Sequence, residues 1–191
     1  MRFRTVLVAV VTAAMLFVSP ASAAVGGFND VSSNDYFAAP VQWMTNEGIT
    51  TGTSPTTYSP HAPVSRGVAA VMIHRMRGSQ STSFEHPFTD IEKSWQDEAV
   101  SWLAKRGITT GTSATTFSPD ELITRGEFAV MLWRLKGEPR VLSPHPFTDV
   151  ALDWQEEAIK WMNRLKITTG TSPTLFSPNA TITRAEVATF L

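Results

Sequence analysis

The stretch Ile167-Thr168-Thr169-Gly170-Thr171-Ser172, followed by Phe176-Ser177-Pro178 and then by Thr183-Arg184-Ala185-Glu186, decides how this chain folds, because it is written three times. Earlier copies begin at Ile49 and Ile108, pass through Tyr58-Ser59-Pro60 and Phe117-Ser118-Pro119, and end on Ser65-Arg66 and Thr124-Arg125. The arginines Arg66, Arg125 and Arg184 fall at a constant spacing of 59 residues. A fixed period of this length means that one supersecondary unit is used repeatedly, so function is expected to be multiplied with it. A threefold arginine is hard to reconcile with a single catalytic centre.

Upstream of each copy stands an aromatic-acid opening: Phe28-Asn29-Asp30-Val31, Phe88-Thr89-Asp90-Ile91 and Phe147-Thr148-Asp149-Val150. A helix is expected next. In the third copy Asp153 reads as its N-cap with Glu156 three residues on, and Ala158, Trp161, Met162 and Leu165 follow at helical spacing. Pro40 falls near the start of the first copy's helix, where a missing N–H costs least. Gly48 and Gly107 stop the helix in two copies and Lys166 stands in the third. A loop of Thr, Ser, Gly and Pro follows, with a turn or short hairpin around Gly52, Gly111 and Gly170, and with Tyr58, Phe117 and Phe176 expected to plug the core.

The repeated arginine opens a second helix. Thr124 with Glu127, and Thr183 with Glu186, have the spacing of capping boxes, which places Arg125 and Arg184 at the first helical position. There the guanidinium is expected to lie beside free backbone N–H groups, an arrangement suited to an anion. The first copy reads Ser65-Arg66-Gly67-Val68 and lacks the glutamate. The three sites are therefore expected to be unequal, with copies two and three the better organised.

The fold class that follows is mainly α: three helix-loop-helix repeats about a pseudo-threefold axis, sharing a central core that no single pair of helices could bury alone. Expected boundaries are 28–78, 88–137 and 147–191, with polar or Pro-rich linkers between them. Leu191 aligns with Leu132 and Ile73, so the last helix is expected to be a turn short.

Residues 1–23 read as an export signal, with Arg2 and Arg4 before an apolar run from Val6 to Val18 and the cleavage pattern Ala21-Ser22-Ala23. That run is too short for a stable span, so no membrane span is expected in the mature chain. Removing the signal takes away two arginines and no acid, which moves the formal net charge from −1 to −3. An acidic chain argues against generic nucleic-acid or polybasic membrane binding. With no cysteine, an exported protein rests on its core, for which six tryptophans and eleven phenylalanines supply apolar area.

At these residues the chain resembles the S-layer homology (SLH) family: the Thr-Arg-Ala-Glu of residues 183–186, the Phe-x-Asp-Val opening, the Trp-containing helix and the Ile-Thr-Thr-Gly turn recur in order over residues 28–191. The resemblance implies a three-pronged helical domain that is secreted and held at the cell wall by non-covalent capture of a secondary cell-wall polysaccharide, often one bearing ketal-linked pyruvate. It implies that Arg66, Arg125 and Arg184 contact the anionic sugar in grooves between repeats.

Candidate ligand-binding residues are thus Arg66, Arg125 and Arg184; Asp30, Asp90 and Asp149, which could instead bridge to the arginines; and Trp43, Trp102 and Trp161. These tryptophans lie seven residues after Tyr36, Trp95 and Trp154, so each pair shares one helical face, with sugar stacking and core packing as the two readings. Glu127 and Glu186 read as caps rather than catalytic acids. Four histidines without a cysteine or carboxylate cluster give no metal site, no serine sits in a Gly-x-Ser-x-Gly elbow, and neither an enzyme nor a cofactor is expected. Partners are the wall polysaccharide and other surface-layer proteins. The competing readings are a self-assembling surface-layer component and the anchor part of a truncated wall hydrolase.

Overall fold

The computed structural model describes residues 24–191, so the expected export signal lies outside the described residues. The described residues form six helices: α1 (Ala38–Asn46), α2 (Arg66–Met76), α3 (Ser94–Lys105), α4 (Arg125–Leu135), α5 (Asp153–Arg164) and α6 (Arg184–Phe190). Among the described residues β-structure is confined to isolated bridges. None of the helices is long and apolar enough to cross a membrane.

The helices pack across repeat boundaries. α2 lies against α3, α4 against α5, and α6 against α1, which closes the third repeat onto the first. This resolves how a helix-loop-helix unit hides its apolar stripe: each second helix covers the first helix of the next copy. At the centre the three loops meet in a closed triangle of backbone hydrogen bonds. Val64 N–H donates to the Ile182 carbonyl at 3.1 Å, Ile182 N–H to that of Ile123 at 3.1 Å, and Ile123 N–H to that of Val64 at 3.0 Å. All three residues are buried, so the triangle satisfies backbone groups that water cannot reach.

Below the triangle, Tyr58, Phe117 and Phe176 are completely buried, as expected of core plugs. Burial of a side chain of this size contributes about 1.5–3 kcal/mol relative to leaving it exposed. Each plug is fixed by its own repeat's aspartate. Asp30 accepts from the amides of Tyr58 and Ser59, Asp90 from Phe117 and Ser118, and Asp149 from Phe176 and Ser177, at 2.7–3.1 Å. The three serines adopt φ 58°, a left-handed conformation that turns both amides onto one carboxylate.

The helix ends follow the sequence in most places. Both capping boxes form, Thr124 with Glu127 and Thr183 with Glu186, whereas Ser65 caps α2 without a returning glutamate. Gly48 and Gly107 stop their helices at φ 67°, and Lys166 takes the same conformation at φ 61°. Pro40 lies within the first turn of α1, where its missing N–H breaks no bond. Asp153 is the first residue of α5 rather than its N-cap: Leu152 holds the cap position in extended conformation without a side-chain bond.

Candidate functional site

Each repeated arginine is buried, with Arg66 at 5%, Arg125 at 3% and Arg184 at 6% exposure. Each reaches out of its own repeat. Arg66 Nε donates to the Phe117 carbonyl at 2.9 Å, Arg125 Nε to Phe176 at 2.9 Å, and Arg184 Nε to Tyr58 at 2.6 Å. The guanidinium carbons stand over those same rings, at 5.2, 4.9 and 4.6 Å from the centroids. One aromatic residue therefore bridges each junction: the aspartate accepts from its N–H and the preceding repeat's arginine donates to its C=O.

The helix N-termini beside these arginines are not free, contrary to the expectation from sequence. The amides of Arg66 and Gly67 donate to Glu121 and Pro119, those of Arg125 and Gly126 to Ala180 and Pro178, and those of Arg184 and Ala185 to Ala62 and Pro60. Loop carbonyls of the neighbouring repeat thus use the donors that an anion would need. The charge these helix starts carry is that of the arginine side chain.

The partner of each arginine is also in the next repeat. Arg66 Nη1 lies 2.8 Å from Glu127 Oε1, and Arg125 Nη1 pairs with Glu186. The third pairing would need an acid at Val68, so Arg184 has no carboxylate partner among the described residues; its Nη2 donates to Thr50 Oγ1 at 3.2 Å. The missing glutamate in copy one, read as weakening the Arg66 site, instead leaves Arg184 uncompensated. Burial pulls all three guanidinium groups below their ordinary pKa. Glu127 and Glu186 work against that pull at Arg66 and Arg125, while Arg184 has only the fields of Tyr58 and Asp30. Among the described residues one terminal nitrogen of each arginine, Nη2 of Arg66 and Arg125 and Nη1 of Arg184, has no hydrogen-bond partner, and none of the three is sealed from solvent.

Grooves open at these points. Arg66 shares one with Thr109, Gly111, Glu127, Arg134 and Trp154; Arg125 shares another with Tyr36, Thr169, Gly170, Glu186 and Phe190. Each draws on all three repeats. The Ile-Thr-Thr-Gly turn is held tightly against the opening phenylalanine: a Cβ on Gly111 would lie 2.5 Å from the Phe88 ring and 2.4 Å from a backbone oxygen. Thr109 Oγ1, itself buried, accepts from Gly111 N–H at 3.2 Å.

The aromatic pairs divide. Trp102 and Trp161 are buried in the core at 2% and 6% exposure, whereas Trp43 is exposed. The earlier member of each pair is the more exposed one: Trp154 and Tyr36 line the two grooves, and Trp95, at the equivalent position, is 52% exposed. Asp30, Asp90 and Asp149 hold loop amides and bond to none of the arginines. Glu127 and Glu186 were legible only as caps, although each carboxylate serves both its N-cap amide and the preceding repeat's arginine.

A helical ring of three repeats, in which each second helix packs on the first helix of the next copy and each motif arginine reaches into that copy, is the architecture of a modular domain built by repetition. The S-layer homology domain model matches residues 27–70, 87–129 and 146–188, and the chain belongs to that family. It is 29% identical to the S-layer protein EA1 of Bacillus anthracis over 99% of this chain and 22% of that protein. It is 28% identical to an endoglucanase of a Bacillus species over 84% of this chain and 18% of the enzyme. A cell wall amidase of Bacillus anthracis is 29% identical over 71% of this chain and 26% of that protein. The chain thus spans about a fifth to a quarter of the length of these relatives.

Proposed function

We propose that this protein is a non-catalytic module, exported and held at the cell surface, that anchors to the cell wall by capturing an anionic secondary cell-wall polysaccharide in the grooves between its repeats. The observation that carries this reading is the groove composition. A buried arginine with one open nitrogen, a loop of threonine hydroxyls and an exposed aromatic ring converge in each of the two grooves described above. Hydroxyls and amides suit sugar hydroxyls, a ring face suits the apolar face of a pyranose, and a guanidinium suits an acidic substituent such as ketal-linked pyruvate. In this reading Arg66, Arg125 and Arg184 contact ligand directly, Tyr36, Trp95 and Trp154 stack on it, Asp30, Asp90 and Asp149 hold the loop that positions the arginines, and Trp102 and Trp161 support the site from the core. The S-layer protein, the endoglucanase and the cell wall amidase among the relatives support the same reading, since a segment shared by proteins of such different activity suits a common task such as localisation.

Co-sedimentation with purified wall sacculi, before and after chemical stripping of the secondary polymer, tests the proposal. Sedimentation that disappears on stripping supports it. Concentration-dependent assembly in the absence of wall, with no loss on stripping, would favour the surface-lattice reading.

A further inference from the structure

The three repeat junctions differ in charge. Beside Arg66 stand Glu127 and Arg134, and Arg134 Nε has Glu138 at 3.9 Å. Beside Arg125 stands Glu186. At the junction of the third and first repeats the equivalent positions are Arg184 and Arg75, but Glu127 is replaced by Val68 and Glu138 by Ser79. The two cations are anchored on consecutive residues of one loop: Arg75 Nη1 donates to the Ile49 carbonyl at 3.4 Å, and Arg184 Nη2 to Thr50 Oγ1 at 3.2 Å. Arg184 is 94% buried on the strength of its 6% exposure, and no carboxylate pairs with it among the described residues. A buried cation left without a counter-charge is costly, whereas the same cation opposite an anion of fitting size is stabilised.

Resting on the anchoring reading, we propose that the junction between the third and first repeats is the acid-recognition site of this chain, where Arg184 and Arg75 together receive a carboxylate borne by the glycan in the place that Glu127 and Glu186 occupy beside the other two arginines. At the other two arginines the internal glutamates compete with the ligand's acid, so those grooves bind it more weakly and engage the same polymer chiefly through their hydroxyls and rings. The ligand's carboxylate completes the set that the protein leaves at two of three.

The decisive substitution is Val68→Glu, which supplies the missing internal carboxylate. Val68 is the third residue of α2, so the new glutamate also completes a capping box with Ser65 and raises thermal stability. Titration calorimetry uses a polymer fragment carrying one carboxylate. The wild-type protein is expected to bind one fragment tightly, and Val68→Glu to weaken it at least tenfold while melting at the same or a higher temperature. Arg184→Gln should weaken it similarly, and Glu127→Val should create a second tight site. Mild-acid removal of pyruvate and carbodiimide-mediated reduction of all carboxyls distinguish a ketal-linked pyruvate from a uronate. Binding by Val68→Glu equal to wild type, two or three equal tight sites in the wild type, or full affinity for carboxyl-reduced polymer overturns this inference and leaves the anchoring reading standing. Absence of any binding to native polymer removes both.

Discussion

Tyr58 and Arg184 hold each other across the whole length of the repeat array. The Tyr58 hydroxyl donates to the Arg184 carbonyl at 2.9 Å, Arg184 Nε donates to the Tyr58 carbonyl at 2.6 Å, and the guanidinium lies over the phenol ring. This contact joins the third repeat to the first and so closes the ring on the side where no arginine–glutamate pair can form.

The phenol should make the closure sensitive to alkali. Burial, only partly opposed by Arg184, pushes the Tyr58 hydroxyl up to about 12 from an ordinary 10.0. Because the folded state keeps its proton after the unfolded chain has lost it, the contribution is complete below pH 10 and is lost as pH rises towards 12. Tyr58→Phe is expected to lower stability at neutral pH by about 1 kcal/mol for the lost hydrogen bond, and to flatten the loss of stability above pH 10 in denaturant titrations. An unchanged alkaline slope would remove Tyr58 as its source.

Asp90, at the opening of the second repeat, should contribute to the acid limb. Burial works to raise the Asp90 carboxyl, but the amides of Phe117 and Ser118 outweigh it and hold the group below its ordinary 3.8. With a depressed folded value, the stabilisation is present above 3.8 and disappears as pH falls through the folded value. Asp90→Asn should therefore lower stability at pH 7 and reduce the further loss on acidification, measured by thermal melts from pH 6 down to pH 2.

Removing one member of a buried ion pair leaves the other stranded. Glu127→Ala is expected to cost about 3 kcal/mol, from an uncompensated Arg66 and a lost capping box together. A double-mutant cycle with Arg66→Leu should report a coupling of about 1 kcal/mol or more. The corresponding cycle between Arg184 and Val68 should report none.

Gly126 and Gln155 should behave as a unit. A Cβ at Gly126 would sit 2.3 Å from Gln155 Nε2, and at Gly67 2.1 Å from Gln96 Nε2. Gly126→Ala should destabilise by about 1–3 kcal/mol through overpacking, and Gln155→Ala in the same chain should recover part of that loss. Denaturant midpoints of the two single variants and the double variant check it.

That pairing also marks where sequence reading stopped. The period, the helices, the capping boxes, the helix stops and the aromatic plugs are local signals, and each has a local physical cause that spacing reveals. Gly126 in place of alanine had no visible reason, because Gln155 lies in the next repeat; in the third copy, which has Ala185, the position equivalent to Gln155 is Phe37. The same limit explains the arginines. Their spacing identified them, but Glu127 read as the cap of its own helix when it is also the counter-ion of Arg66, 61 residues earlier. Cyclic closure moved the consequence of the missing glutamate from Arg66 to Arg184. The tryptophan pairs were recognisable as one helical face, yet only packing of α5 against α4 shows that Trp161 faces the core while Trp154 borders a groove.

The most direct measurement of the central claim is amide hydrogen exchange on the protein with and without purified secondary wall polymer. Capture in the inter-repeat grooves predicts that added polymer slows exchange in the three Ile-Thr-Thr-Gly-Thr turns, at residues 49–53, 108–112 and 167–171, and at the neighbouring starts of α1, α3 and α5. Protection confined to other surfaces, or none at a polymer concentration that saturates sedimentation, would contradict it.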